Sequence, residues 1–533
     1  NITAVSADSL AKLGVTDTSA LVRIIPGLND ADAGTRGSGL RSNYTLRGLN
    51  ADAASPGDDN PRLNQPTVST YLGDTPITYP SLKLVDLERV EVLRGPQGTL
   101  YGSGSIGGTI RFIPKKAELN KTTVEVSQEG SSTEHAGDLG YDGRVTVNIP
   151  AGDNAAFRAT VNYQRVAGFI DAVGPVQQTG TPLHPGDVVL ADPAHPLTSP
   201  AAAAAARLDN NDAAIMYSQA QLRLVPSSNL EVTFDYRHQQ THANDRSADN
   251  RNYGTGQQYV NYTEFASPEE SRIDLFSADV AVDFGFARLS SNSAYARTFA
   301  HSVSGDGSGF LGQNLAQYYF GYPRLIAPEI RDELHRTTTQ EFRLVSRGGQ
   351  KLDWVVGAFY SRDKLDFSLF QPMSGINDYT NAVLGITPAL NFTDILATGG
   401  TNQTFTDLAF FGESTLNVTN RWQVTGGVRV FHQTLDGTSG IALPFASRTL
   451  QYFISGQATN DFLLGKARPI ANVTNDQVFK LNTSYKLNEG ALVFATWSQG
   501  FRAGGANALS ETNPNGSSNA ALLHFKPDDA VNY

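Results

Sequence analysis

From about residue 119 onward, apolar and polar residues alternate one by one. Val145, Val147 and Ile149 stand against Arg144, Thr146 and Asn148, and Phe157, Ala159, Val161 and Tyr163 against Arg158, Thr160, Asn162 and Gln164. The same beat returns at Leu230, Val232, Phe234 and Tyr236, and again at Trp422, Val424, Gly426, Val428 and Val430. A period of two places successive side chains on opposite faces of a strand, so each segment predicts a strand whose faces meet different solvents. Short turns at 150–154, 226–229, 347–350 and 487–490 take turns with long polar loops near 167–212, 241–270, 300–334, 365–403 and 436–474. That inequality between the two ends is the pattern of a transmembrane β-barrel. A soluble sandwich is the alternative, and its turns would be more uniform in length. About 14 strands fit between residue 119 and the end, predicting an all-β, antiparallel transmembrane barrel that is incomplete.

Residues 1–118 have another texture. Leu10, Leu13, Leu21, Val22, Ile24 and Ile25 surround a Thr-Asp-Thr-Ser cap signal and stop at Pro26-Gly27, which predicts short helices. Strands are predicted at Tyr44–Leu49 and Val68–Ile77, separated by a polar loop over 50–65. The segment is therefore a small mixed α/β domain ahead of the barrel.

The most informative run is Val90-Glu91-Val92-Leu93-Arg94-Gly95-Pro96-Gln97-Gly98-Thr99-Leu100-Tyr101-Gly102-Ser103-Gly104-Ser105-Ile106-Gly107-Gly108-Thr109-Ile110. It predicts a strand, a series of glycine turns and a second strand. Gly102 to Gly107 also fits G-x-G-x-x-G, but a dinucleotide site needs a long helix directly afterwards, and Thr109–Pro114 is β-like. The run resembles the plug-domain signature of TonB-dependent outer-membrane receptors, gated barrels that import scarce nutrients across the bacterial outer membrane.

The resemblance implies a plug over 1–118 and a barrel over 119–533. Family members have 22 strands, so about eight, or on the order of 240 residues, are expected beyond this chain. A signal peptide is expected upstream of Asn1, and the short box that pairs with the partner TonB as an added strand is absent from residues 1–8 and expected upstream too. By the same resemblance, Arg94 sits at the plug–barrel interface and pairs with lumenal barrel glutamates. Glu341, whose neighbours Phe342 and Leu344 have the lipid phase, is the first candidate, and Glu413 the second. The alternative is that Arg94 merely tops a turn in solvent. Ligand contacts are expected from Asp52, Asp58, Asp59 and Arg62 above the plug and from Tyr318, Tyr319 and Tyr322 in an outer loop, where packing between loops is the competing role. A ferric siderophore is the expected cargo, with a glycan, cobalamin or another organic solute as the alternative. The expected setting is the outer membrane, with lipid, TonB and a small-molecule ligand as partners and a monomer as the unit.

Composition narrows the remaining classes. The 533 residues contain no cysteine, which removes disulfides, thiolate metal sites and cysteine nucleophiles. A formal net charge of −11 argues against nucleic-acid binding. The chain has no run of 18 apolar residues, so only strands are left to span a bilayer. His238 and His242 are four apart on a strand, where that spacing does not bring the rings together; His301, His335 and His432 are scattered. Asp306 stands among glycines with too few carboxylates for a calcium loop. Ala201–Ala206 predicts a short helix in an outer loop. No nucleophile–base–acid set is present, so neither an enzyme nor a cofactor is expected.

Overall fold

The run Val90–Ile110 folds as the expected strand, turn and strand, at the centre of a five-stranded sheet. A computed structural model describes residues 2–13, 15, 19–30, 44–49, 66–77, 82–83, 85–172, 176–178, 188–190, 206–247, 258–261, 267–304, 327–373, 375–387, 389–453, 467–508 and 517–532. The plug strands are β1 (Ile2–Ser6), β2 (Val68–Leu72), β3 (Thr75–Pro76), β4 (Leu87–Arg94) and β5 (Gly108–Pro114), in the order β1-β4-β5-β2-β3. Within this sheet the β5–β2 pair is parallel and the other described pairs are antiparallel. The expected short helices are α1 (Ala7–Lys12) and a 3₁₀ turn at Ser19–Arg23. They lay Leu10, Leu21 and Ile25 on Val68, Val90, Val92, Ile110 and Phe112, a core large enough to hold the small sheet together. Strand β1 was not foreseen, because five residues at a sheet edge carry too little alternation to be read alone.

The alternating region forms one fourteen-stranded sheet. Its strands are β6 (Thr123–Ser131), β7 (Gly140–Pro150), β8 (Ala155–Val166), β9 (Ala213–Ser227), β10 (Leu230–Ala243), β11 (Glu269–Asp283) and β12 (Ala287–Ser304). They continue as β13 (Glu329–Ser346), β14 (Leu352–Pro372), β15 (Ile395–Asn417), β16 (Trp422–Ala442), β17 (Arg468–Asn488), β18 (Ala491–Arg502) and β19 (Asp528–Asn532). Each pairs antiparallel with its neighbours in sequence, and β6 and β19 are the two edges. Side-chain phase is as expected: Val161 is 48% exposed on the outer wall and Asn162 fully buried on the lumenal one. Among the described residues no helix is long and apolar enough to cross a membrane.

The long loops are shorter than the sequence suggested. Strands β14 and β15 contain 21 and 23 residues and stay paired up to Pro372 and from Ile395. At about 3.3 Å per residue, such strands exceed the roughly 30 Å hydrocarbon core even when tilted. Their outer ends keep a buried inner face, where Leu365, Phe367, Leu369 and Ala397 form an apolar cluster with Ile441 and Leu443, so the ladder continues above the belt. The loop helices α3 (Ile376–Leu384) and α4 (Pro444–Phe453) cap this region through a small apolar cluster that includes Met373, Ile376, Phe392 and Phe445. Ala201–Ala205 and Asp306 lie outside the described residues.

Candidate functional site

The plug lies inside the barrel and meets its wall on two sides. On the first, the turn between β4 and β5 is closed by Gly95 N–H donating to Gly107 O (2.9 Å) and Gln97 N–H to Ser105 O (3.0 Å). Its middle is one helical turn, α2 (Gly98–Tyr101). Two of its glycines are required by close approach as much as by turning. A Cβ on Gly98 would lie 2.7 Å from Gln499 O, and one on Gly102 2.9 Å from Arg429 Nη2. The run Gly102–Gly107 leads straight into β5 with no helix after it, so the dinucleotide reading lacks the element it needs.

Around this turn the wall is aromatic and cationic. Thr99 Oγ1 donates to Glu413 Oε1 (2.7 Å), and Lys480 Nζ holds the same carboxylate at 3.0 Å. The Arg343 guanidinium stands 5.7 Å from the Tyr101 ring centre, and Arg429 5.3 Å and 5.6 Å from those of Phe359 and Phe411. At these distances the π faces attract the cations. Leu100 packs against Phe411, Phe431, Val478 and Phe501. Gly104 N–H donates to Phe501 O (2.9 Å), and Ala503 N–H to Ser103 Oγ (3.1 Å). Tyr71 Oη donates to Tyr101 O (3.0 Å); burial pushes the phenols of both tyrosines up, so Tyr71 remains a donor at neutral pH.

The opposite side is held by ion pairs. Lys83 Nζ reaches Asp142 (2.7 Å) and Gln164 (2.5 Å), while its N–H donates to Gln239 Oε1 (2.9 Å). Arg158, itself 1% exposed, donates from Nε (2.7 Å) and from Nη2 to Asp86. Leu82 and Val85 are buried against Tyr217, Ile273 and Leu275. Between plug and wall lies a polar cavity of about 350 Å³, lined by Arg111, Lys116, Asp235, Arg288, Glu341 and Arg343 among others.

The expected residues fall into three groups. Glu413 does contact the plug, through Thr99. Glu341 is lumenal and buried as expected, yet it pairs with Arg343 on its own strand. Arg94 is half-buried at the end of β4, and among the described residues it forms no ion pair; its Nε is buried without a hydrogen-bond partner. The structure therefore does not bring Arg94 and Glu341 together as a salt bridge. Asp52, Asp58, Asp59, Arg62, Tyr318, Tyr319 and Tyr322 lie outside the described residues. Sequence reasoning missed Lys83, Asp86, Arg158, Thr99 and Arg429. The lumenal phase of the two arginines was visible, but their partners lie 72 and 22 residues away in the cases of Arg158 with Asp86 and Arg429 with Asp407 (3.7 Å). Among the described residues no group of three or more histidines and carboxylates is arranged to hold a metal.

Residues 1–109 match the TonB-dependent receptor plug domain, and residues 217–533 the TonB-dependent receptor-like β-barrel. The chain belongs to the TonB-dependent receptor family. It is an outer-membrane protein of a family of transport receptors rather than enzymes. The pesticin receptor of Yersinia pestis is 37% identical over 118 residues, which are 22% of this chain and only 16% of that receptor. Solved structures of outer-membrane receptors overlie the whole chain, two of them as follows. The ferric yersiniabactin uptake receptor of Yersinia pestis does so at TM-score 0.72 and 18% identity, over 68% of its own length. The ferric-catecholate import receptor of E. coli does so at TM-score 0.65 and 16% identity, over 70% of its length. At such identities the likeness is one of fold.

Proposed function

We propose that this protein is the plug (1–118) and barrel (119–533) of an active importer that carries a ferric siderophore across the outer membrane, powered through TonB. The observation that supports this most is the plug seated on both sides of the lumenal wall, where a passive pore needs an open lumen. Moving such a plug breaks buried ion pairs and apolar contacts, so import needs an external energy source. TonB supplies it by pairing with a short strand N-terminal to the plug. A ferric siderophore carries its own chelator, so the protein needs no cage of histidine and cysteine ligands. The uptake of ferric yersiniabactin and ferric catecholates by the relatives of like fold favours this cargo over a glycan or cobalamin.

Within this reading Thr99 and Glu413 hold the plug turn to the wall, and Arg94 belongs to the same interface. Asp52, Asp58, Asp59 and Arg62 above the plug, with Tyr318, Tyr319 and Tyr322, are the proposed ligand contacts. The unit is a monomer. The test is uptake of radioactive iron from a cognate ferric siderophore by cells that carry or lack the full-length gene, with and without TonB. Uptake that requires both, and expression that rises under iron starvation, is the expected result. Induction by a polysaccharide without any iron response would overturn the cargo and leave the transport mechanism standing.

A further inference from the structure

Along β14 the outward positions run Leu352, Trp354, Val356, Ala358 and Tyr360, and Leu352, Val356 and Tyr360 are exposed on the lipid-facing wall. Nine residues from Leu352 to Tyr360 are about what a tilted strand needs to cross the hydrocarbon. The next two outward residues are Arg362 and Lys364. On β12 the exposed Tyr295 is likewise followed by Arg297, and on β13 Phe342 leads through Gln340 and Thr338 to Arg336. Strands β12 and β14 run from short turns towards the long-loop side and β13 runs the opposite way, so all these cations sit at the upper edge of the apolar belt.

Their register is unusual. Arg297 lies directly opposite Arg336, and Arg336 directly opposite Lys364; Arg362 stands opposite Thr338, one outward position below Lys364. Like charges directly across a ladder destabilise a sheet. One carboxylate compensates within the group: Arg336 donates to Asp366 (2.8 Å), which also accepts from Asn402 (2.6 Å). Asp274, opposite Arg297, is engaged by His238 (2.8 Å) and Tyr236 (2.9 Å). Among the described residues, Arg297, Arg362 and Lys364 have no ion-pair or hydrogen-bond partner. An anion at the depth where lipid headgroups begin would offset the remaining repulsion.

We infer that Arg297, Arg336, Arg362 and Lys364 form an outward-facing site for the phosphate groups of an outer-leaflet glycolipid, whose acyl chains lie on the belt below. Guanidinium forks match phosphate oxygens in pairs, and adjacent strands about 4.8 Å apart place successive cations within reach of one phosphorylated headgroup. The site is independent of the transported ligand.

The test uses the full-length receptor in phosphocholine nanodiscs, with retention of bisphosphorylated lipid A compared with that of dephosphorylated lipid A of the same acyl chains. Wild type is expected to retain the phosphorylated lipid preferentially and to lose it as salt rises. Arg297→Gln/Arg336→Gln/Lys364→Gln is expected to lower retention at least about tenfold. Arg297→Lys/Arg336→Lys should keep most of it. Arg347→Gln, at an exposed short turn on the other side of the membrane, should change nothing. Equal retention of both lipids by wild type, or unchanged retention by the triple variant, would overturn the site. If the triple variant does not assemble, the phosphate and salt dependence of wild type and of the lysine variant still decide the matter.

Discussion

A Cβ on Gly102 would press on the Arg429 guanidinium, and the backbone there (φ +71°, ψ −148°) is open essentially only to glycine. Gly102→Ala is therefore expected to cost about 1–3 kcal/mol of plug docking. The readout is a raised leak of large antibiotics through an otherwise heat-modifiable, assembled barrel. Arg158→Gln strands Asp86 in a buried position and should cost about 3–5 kcal/mol. Adding Asp86→Asn should recover most of that, because asparagine tolerates the positive φ of 56° and removes the orphaned charge. A double-mutant cycle in urea measures the coupling, and simple additivity would contradict the pairing. The phenols of Tyr71 and Tyr101 are raised by burial. Their contribution to docking is fully present below the unfolded value of about pH 10 and is lost as pH rises beyond it. Proteolysis of the plug should accordingly stay level between about pH 6 and 9 and quicken only in stronger alkali.

Strand phase is the property that alternation carries best, and it carries a prediction with it. Val161 faces lipid, so Val161→Arg should cost about 2–4 kcal/mol if it lies near the midplane. The neighbouring Asn162 is a poor lumenal control, because it is fully buried and bonded to Asp142 and to Gly143 O. Ser290, which lines the polar cavity, has room for a longer side chain, and Ser290→Arg should cost less than about 1 kcal/mol. Folding into lipid vesicles separates the two; equal penalties would refute the inward phase of β12 or the outward phase of β8. Alternation carries strand ends poorly. The glycines and polar residues of 399–403 read as a loop although the ladder runs through them, and above the belt Leu365, Phe367, Leu369 and Ala397 stay buried on the inner face.

Across the whole molecule the two docking surfaces differ in kind. The Lys83 and Asp86 side is clamped by buried ion pairs, whereas the Gly98–Ser105 side rests on ring faces, single hydrogen bonds and glycine contacts. The second is the cheaper to separate, so energised opening should begin there. The chain has no native cysteine, which makes the order directly measurable. Thr99→Cys/Glu413→Cys joined by a short bis-thiol crosslinker should block import. Thr75→Cys/Asn292→Cys, replacing a contact of 3.0–3.2 Å on the clamped side, should be tolerated. Blockage by the second pair alone would reverse the assignment.

The sequence by itself determined the class of the molecule. Period-two alternation needs no partner to be legible, since each residue reports its own solvent, and the glycine run before Thr109 marks a turn whatever it touches. From these came the barrel, the plug, the inward phase of Glu341 and the absence of a dinucleotide helix. Only the tertiary structure decided which charges meet. Glu341 takes Arg343 from its own strand, Glu413 takes Thr99, and Asp86 takes Arg158, because partner choice depends on which strand faces which side of the plug. It also decided why Gly98 and Gly102 are glycine, a matter of the backbone and side chain that press on them from residues 499 and 429. Contacts across hundreds of residues leave no local period, so physical proximity alone reveals them.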